Sequence, residues 1–240
     1  MTTRHKPTGH YILSLDLGIK NLGFAVIGYI KTGPKHFNDL TISFDIFNIE
    51  SQFKKKIDIV NNRCDAILKF FTDLLNEYGR FDYVIIERQV NRNTMAMELM
   101  YACAMACKTL CNVDMISFDP KDKFLKLGLP YTIEKKAHKR LSTRMARMLI
   151  NNYWPSLRNS FESYTKKDDI SDAINQVLTW MFVNGFINYT IDEYVTALHL
   201  NDSTMLASSI QTNDNNIHAN GDDVADEADD YALPELTTST

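Results

Sequence analysis

The chain lacks any long apolar run. No stretch of its 240 residues approaches the ~18 consecutive apolar residues that span a membrane. The first ten residues are polar and basic, and they lack the apolar centre of a signal peptide. We therefore expect a soluble, intracellular protein with no membrane partner.

Cysteine and glycine are too sparse for several other classes of protein. Cys103, Cys107 and Cys111 follow one another at four-residue spacing, with no CxxC pair and no histidine at zinc-ligand spacing. This spacing predicts one packed helix face. The chain also lacks the glycine-rich phosphate loops and the second domain of sugar-kinase or actin-like ATPases, and we expect no small-molecule cofactor.

Lysine and arginine are absent from the last forty residues, which contain nine acids. The first 200 residues therefore carry 21 acids against 26 bases, although the whole chain has a net charge of −4. We predict a flexible N-terminus at 1–10, a folded domain at 11–198 and a disordered, acidic low-complexity tail at 199–240. A basic domain favours a polyanionic partner, and the tail either screens that surface or only aids solubility.

An aspartate interrupts an apolar stretch near the start of the chain. Asp16 lies within a predicted strand, and a tight turn at Gly18 and Gly23 leads into a second predicted strand. Ionised carboxylates are rarely buried without a partner or a metal, because their desolvation is costly. Asp16 is therefore either a metal ligand or a residue that stabilises the hairpin turn.

Two later segments also place acids where structural elements end or begin. Glu87 ends a predicted strand, and Asp168, Asp169 and Asp172 open a predicted helix. Asp169 and Asp172 are three residues apart and share one helix face. Helix capping also favours acids at this position. Capping does not account for all three acidic segments, which together predict a cage of oxygen ligands for Mg²⁺ or Mn²⁺.

The order of predicted elements is β-β-β-α-β-α-β, followed by two more helices. An antiparallel meander that continues into βα units is the topology of the ribonuclease H-like fold, in which the first strand, the fourth strand and the final helix meet. The three acidic segments occupy these three elements. We therefore predict an α/β, ribonuclease H-like fold with a five-stranded mixed sheet flanked by helices. The predicted strands are 11–17, 22–30, 39–50, 82–87 and 113–118, and the predicted helices are 53–79, 93–111, 133–153 and 168–187.

A cluster of bases precedes the last helix. Residues 121–147 contain nine bases against two acids, a pattern typical of a phosphate-binding surface or of a solvated helix face. If the partner is a nucleic acid, contacts to its phosphate backbone favour recognition by shape over recognition by base sequence. The bases are Lys121, Lys123, Lys126, Lys135, Lys136, Lys139, Arg140, Arg144 and Arg147.

The three acidic segments resemble those of RuvC-type Holliday junction resolvases, especially the branch found in poxviruses and related large DNA viruses. The matching segments are 14–23 (SLDLGIKNLG), 85–89 (IIERQ) and 166–173 (KKDDISDA), and the resemblance spans about residues 10–187. It implies that Asp16, Glu87, Asp169 and Asp172 are the catalytic metal ligands, holding two Mg²⁺ ions that Mn²⁺ can replace. The role of Asp168 stays open.

The resemblance also implies a reaction and its partners. We expect a homodimer that makes paired symmetric nicks in four-way DNA junctions, in recombination or in resolving branched viral replication intermediates. Related enzymes use lysines before the last helix, and Lys136 and Lys139, with Lys135, are the candidates here. Bacterial members have an aromatic residue three positions after the second acid, where it acts as a wedge in the junction. This chain has Val90 at that position, so the resemblance does not imply that a side chain there opens the junction.

Three questions stay open at the level of the sequence. The helix at 93–111 is rich in small apolar residues, and it packs either on the sheet or on a dimer mate. A viral protein of this kind is expected in the host cytoplasm, and a mitochondrial or nuclear protein is the alternative. The rival functions are a ribonuclease H-like nuclease acting on RNA or RNA–DNA hybrids, and a catalytically silent junction-binding scaffold.

Overall fold

The computed structural model divides the chain into two units, Met1–Asn201 and Asp202–Thr240. All described residues belong to the first unit. The predicted acidic tail, Val90 and most of the predicted N-terminal segment lie outside them. The described residues are 9–31, 36–52, 59–89, 93–128 and 135–188.

A five-stranded mixed sheet forms the centre of the first unit. Its strands are β1 (His10–Leu17), β2 (Asn21–Tyr29), β3 (Thr41–Asn48), β4 (Tyr83–Glu87) and β5 (Met115–Phe118). The strand order is β3-β2-β1-β4-β5, in which β1, β2 and β3 are antiparallel and β4 and β5 run parallel to β1. The predicted mixed sheet is confirmed. The third strand is shorter than predicted because a short 3₁₀ turn lies near each of its ends.

Helices flank the sheet on both faces. They are α1 (Ile59–Tyr78), α2 (Thr94–Ala106), α3 (Asp122–Leu125), α4 (Lys135–Tyr153), α5 (Arg158–Ser163) and α6 (Lys167–Val183). Helices α3 and α5 were not predicted, because elements of four and six residues are too short to show a periodic pattern. Among the described residues, no helix is long and apolar enough to cross a membrane.

Two of the predicted helices end earlier than expected. The helix predicted at 93–111 is α-helical only to Ala106 and continues as a π-helical turn, Cys107–Cys111, which ends at Asn112 in the left-handed conformation with φ 54°. The helix predicted at 168–187 ends at Val183.

The central strands are buried on both faces, so the sheet separates two hydrophobic cores. Ile12 and Ile85 pack in the core on the side of α4 and α6. Leu13 and Ile86, their neighbours along the strands, pack in the core on the side of α1 and α2. This alternation follows from the two-residue period of a strand.

Gln176 fixes α6 on the two central parallel strands. Its side-chain nitrogen lies 3.0 Å from the Ser14 hydroxyl oxygen and 3.3 Å from the carbonyl oxygens of both Leu15 and Ile85. Gln176 is fully buried. Water therefore does not compete for these hydrogen bonds, and one side chain connects α6 to both β1 and β4.

Gly23 lets the first turn of α6 approach β2 closely. A Cβ atom at this position would lie 2.4 Å from the Asp169 carbonyl oxygen and 2.6 Å from its carbonyl carbon. Only glycine permits this distance, because both contacted atoms belong to the backbone. The second glycine of the motif at residues 14–23 thus sets how near Asp169 comes to the sheet.

We expect Gly23→Ala to reduce the free energy of unfolding by about 1–3 kcal/mol, the usual cost of overpacking a close contact. The added methyl group must push the start of α6 away from β2. Urea denaturation of the metal-free protein measures this change. Gly185→Asn is the control, because Gly185 has φ +72° with open space around it, and asparagine tolerates this conformation. Equal stability of wild type and Gly23→Ala would contradict the steric explanation.

Candidate active site

The predicted acids lie at the carboxyl ends of the two central parallel strands. Asp16 is the penultimate residue of β1, and Glu87 is the last residue of β4. Neighbouring parallel strands end at the same edge of a sheet, so the two carboxylates lie side by side. Asp169 and Asp172 come from the start of α6, which packs against β1 and β2. The fold thus brings all four acids to one place.

Asp16 lies at the centre of this cluster. Burial raises the pKa of Asp16 well above its usual range, and the charges of Glu87 and Asp172, with a smaller contribution from Asp169, raise it further. Crowded carboxylates favour uptake of a proton by one member of the group. Asp16 therefore holds a proton at pH values where a free aspartate is ionised, until a cation joins the cluster.

A lysine is buried among the acids. The Lys123 ammonium lies 2.6 Å from Glu87 Oε2 and 3.2 Å from Asp172 Oδ1, and the residue is 3% exposed. Burial opposes the charge of the ammonium, but the carboxylates of Asp172, Glu87 and Asp16 outweigh it and raise the pKa of Lys123. Lys123 therefore places a permanent positive charge inside the acid cluster.

The position of Lys123 corrects one prediction. This lysine was assigned to the phosphate-binding surface, yet its side chain is buried. Lys136 and Lys139, the lysines predicted to be catalytic, lie on the exposed side of α4, and their catalytic role stays a prediction. The sequence did contain a signal for Lys123. This lysine lies in the segment that follows β5, and β5 runs parallel to β4, so the segment starts at the edge of the sheet where Glu87 lies.

The start of α6 carries a further ion pair. Asp168, whose role the sequence left open, contacts the ammonium of Lys139, and this hydrogen bond raises the pKa of Lys139. Burial raises the pKa of Asp169, and the neighbouring charge of Asp168 adds to the effect. The exposed side of α4 therefore adjoins the acid cluster through Lys139 and Asp168.

The donor set suits a hard divalent cation by its chemistry. Four carboxylates supply only oxygen ligands, which Mg²⁺ and Mn²⁺ prefer. Within the described ranges, no three His, Cys, Asp or Glu side chains are grouped closely enough to hold a metal ion. Glu87 and Asp172 instead share the ammonium of Lys123. The cluster therefore already binds one cationic group, and its four acids leave an excess of negative charge for a metal.

Most of the predicted phosphate-binding residues form an exposed basic surface on α3 and α4. Lys121, Lys126, Lys136, Lys139 and Arg140 are exposed, and Arg144 is half-buried. Arg147 is engaged elsewhere, because its Nε lies 2.5 Å from Glu162 Oε1. The side chain of Lys135 lies outside the described part of the structure.

The fold and the acid cluster first define a class. A sheet in the order β3-β2-β1-β4-β5, with acids from the first strand, the fourth strand and α6, is the arrangement that we predicted for a ribonuclease H-like fold. A model of the poxvirus A22 protein family matches residues 10–184, and the chain belongs to this family. The predicted resemblance is thereby confirmed.

Solved structures with the same fold come from fowlpox virus. The crystal structure of the fowlpox virus resolvase with substrate Holliday junction DNA is 20% identical, with a TM-score of 0.54, and the match covers 72% of this chain and 98% of that chain. The crystal structure of the fowlpox virus Holliday junction resolvase is 22% identical, with a TM-score of 0.50, covering 72% and 99%. Among curated protein sequences, none gives a significant match.

We expect Lys123→Met to reduce the free energy of unfolding of the metal-free protein by about 3–5 kcal/mol, because Lys123 is buried and its removal leaves the two partly buried carboxylates of Glu87 and Asp172 without their cation. Added Mg²⁺ or Mn²⁺ restores part of this loss by supplying positive charge to the same acids. Chemical denaturation in EDTA and in excess metal measures both effects.

Lys139→Met is the matched control for this substitution. Its ion pair with Asp168 is partly exposed, with the lysine side chain 49% accessible, so its removal costs about 1 kcal/mol or less. If both variants lose the same stability, Lys123 has no special role in holding the acids together.

Proposed function

We propose that this protein is a divalent-metal-dependent endonuclease that resolves four-way DNA junctions by paired symmetric nicks. One observation carries the proposal: Asp16, Glu87, Asp169 and Asp172 converge at one edge of the sheet in a member of the poxvirus A22 protein family. The similar fowlpox virus resolvase has Holliday junction DNA as its substrate, which supports a branched DNA substrate here.

The four acids would hold Mg²⁺, with Mn²⁺ as a substitute, and their number matches two ions. When bound, such ions stabilise the charge on the leaving 3′-oxygen and make the attacking water more acidic. Asp16 suits the position of a shared ligand, because a central strand restricts its movement. Lys123 keeps Glu87 and Asp172 together and adds positive charge beside the reacting phosphate.

The exposed bases of α3 and α4 bind the phosphates on either side of the cut. They lie next to the acid cluster, because Lys139 contacts Asp168 at the start of α6. Phosphate contacts position DNA without reading its sequence, so the angle between junction arms would select the substrate. Among the described side chains, the contributing residues are Lys121, Lys126, Lys136, Lys139, Arg140 and Arg144, and we keep Lys135 with them as a prediction from the sequence.

Paired nicks require two active sites, and α2 offers a surface for a second subunit. Tyr101 and Met105, four residues apart on one face of this helix, are 60% and 63% exposed, and Met95 of the same helix is 42% exposed. Grouped exposed apolar residues are typical of protein interfaces. A homodimer through this surface presents two identical sites to a junction that itself has two-fold symmetry.

The folded domain at 11–198 performs this reaction, and the tail at 199–240 is a separate acidic segment. In a poxvirus the substrates are branched intermediates of viral DNA recombination and replication in the host cytoplasm.

The first experiment compares cleavage of a labelled, immobile four-way junction with that of a matched linear duplex. We expect symmetric nicks leaving 5′-phosphates on the junction alone, in Mg²⁺ and not in EDTA. Asp169→Asn removes a proposed metal-binding oxygen, so we expect the cleavage rate to fall by more than about 100-fold. Loss of a group that only hydrogen-bonds to a metal ligand typically costs about 10- to 100-fold. Asp73→Asn is the control, because Asp73 lies on the exposed side of α1, where it pairs with Lys69.

Two results would overturn the proposed substrate or the proposed chemistry. Preferential cutting of an RNA–DNA hybrid would support the proposed metal-dependent chemistry but contradict the proposed junction substrate. Binding of the junction without cutting in either metal would identify a silent scaffold.

We expect Tyr101→Glu combined with Met105→Glu to convert the dimer into a monomer, because buried carboxylates without partners are costly at an interface. Sedimentation velocity measures the assembly, and the junction assay then shows unpaired nicks. Val183→Glu is the control at an exposed apolar residue, 49% accessible, on a different helix. An unchanged sedimentation coefficient for the double variant would place the interface elsewhere.

A further inference from the structure

A chain of hydrogen bonds between α4 and α6 ends on Asp172. The Ser142 hydroxyl donates to Asp172 Oδ1 at 2.6 Å. The side-chain nitrogen of Asn175 lies 2.8 Å from the Ser142 carbonyl oxygen and 2.9 Å from the Ser142 hydroxyl oxygen. Ser142 is 1% exposed and Asn175 is fully buried, so water does not compete for these bonds.

The direction of each hydrogen bond follows from chemistry. A carbonyl oxygen can only accept, so the NH₂ group of Asn175, and not its oxygen, faces Ser142. The same NH₂ group therefore donates to the Ser142 hydroxyl oxygen. A hydroxyl has one proton to give, and with its oxygen accepting from Asn175, the proton of Ser142 is directed to Asp172.

These contacts treat the two oxygens of Asp172 differently. Oδ1 accepts from the Ser142 hydroxyl and faces the Lys123 ammonium at 3.2 Å. Within the described residues, Oδ2 accepts no hydrogen bond. The hydrogen bond from Ser142 and the ion pair with Lys123 on the same oxygen restrain the rotation of the carboxylate and leave the other oxygen available to bind a cation.

We propose that Ser142, oriented by Asn175, is a positioning residue that presents Oδ2 of Asp172 to the divalent metal. The inference rests on the proposed function, since it assumes that Asp172 is a metal ligand. Groups that hydrogen-bond to a metal ligand fix its orientation, and their loss typically weakens metal affinity or activity by about 10- to 100-fold. Ser142 itself touches neither metal nor DNA in this role.

The test is calorimetric titration of Mn²⁺ into the metal-free full-length protein. We expect Ser142→Ala to raise the Kd for Mn²⁺ by about 10- to 100-fold with unchanged stoichiometry. Ser142→Thr keeps the hydroxyl and restores most of the affinity. In the junction assay, the Mg²⁺ concentration for half-maximal cleavage rises by the same factor, while the rate at saturating Mg²⁺ changes less.

Ser171→Ala is the matched control. Ser171 is as buried as Ser142 and precedes Asp172 directly, but its hydroxyl lies 2.6 Å from the Lys167 carbonyl oxygen of its own helix turn. We expect Ser171→Ala to bind Mn²⁺ with the wild-type Kd, because the Ser171 hydroxyl does not contact Asp172. This result would show that loss of a buried hydroxyl near Asp172 does not by itself weaken metal binding.

Three outcomes would overturn the inference, and they differ from one another. A Ser142→Ala variant with the wild-type Kd shows that Asp172 needs no positioning, even though the proposed function stands. A lowered stoichiometry with an unchanged Kd shows that Ser142 only supports folding. A wild-type protein that neither binds Mn²⁺ nor cuts the junction removes the proposed function together with the inference.

Discussion

Repulsion among four carboxylates is the constraint on which the arrangement of this protein depends. Acids from two strands and one helix meet at a partly buried place, where like charges repel one another. An ammonium shared between Glu87 and Asp172 reduces this repulsion, and the raised pKa of Asp16 favours uptake of a proton there. Both are reversible, so the cluster persists without metal and still attracts a cation.

The rest of the fold holds the acids together against this repulsion. Gly23 allows the backbone of Asp169 to approach β2 closely. Gln176 connects α6 to β1 and β4, the two strands that carry acids. Ser142 restrains Asp172 from the opposite side, through α4. The elements that carry the acids are thus fixed to one another by a close backbone approach and by buried hydrogen bonds, which gives the cluster a rigid frame.

The sequence was sufficient to predict the sheet and the four acids, because both depend on local patterns and on order along the chain. Lys123 was missed although its place after a predicted parallel strand was a usable signal, because a lysine in a basic run looks the same whether it faces solvent or a carboxylate. Ser142 and Asn175 left no local signal, since their contact joins helices that are distant in the sequence. Local periodicity reveals which residues are apolar or charged, whereas pairing across elements appears only in three dimensions.

The position of α6 late in the sequence has a consequence for when the acid cluster can form during synthesis and folding. Gln176 contacts Ser14 across 162 positions of the chain, and the same helix supplies two of the four acids. Such distant contacts form late, after the chain between them has been made. A nascent or truncated chain that lacks α6 therefore contains Asp16 and Glu87 without Asp169 and Asp172, and its acid cluster is incomplete. Under the proposed function, synthesis itself delays DNA cleavage until α6 has been made and packed on the sheet.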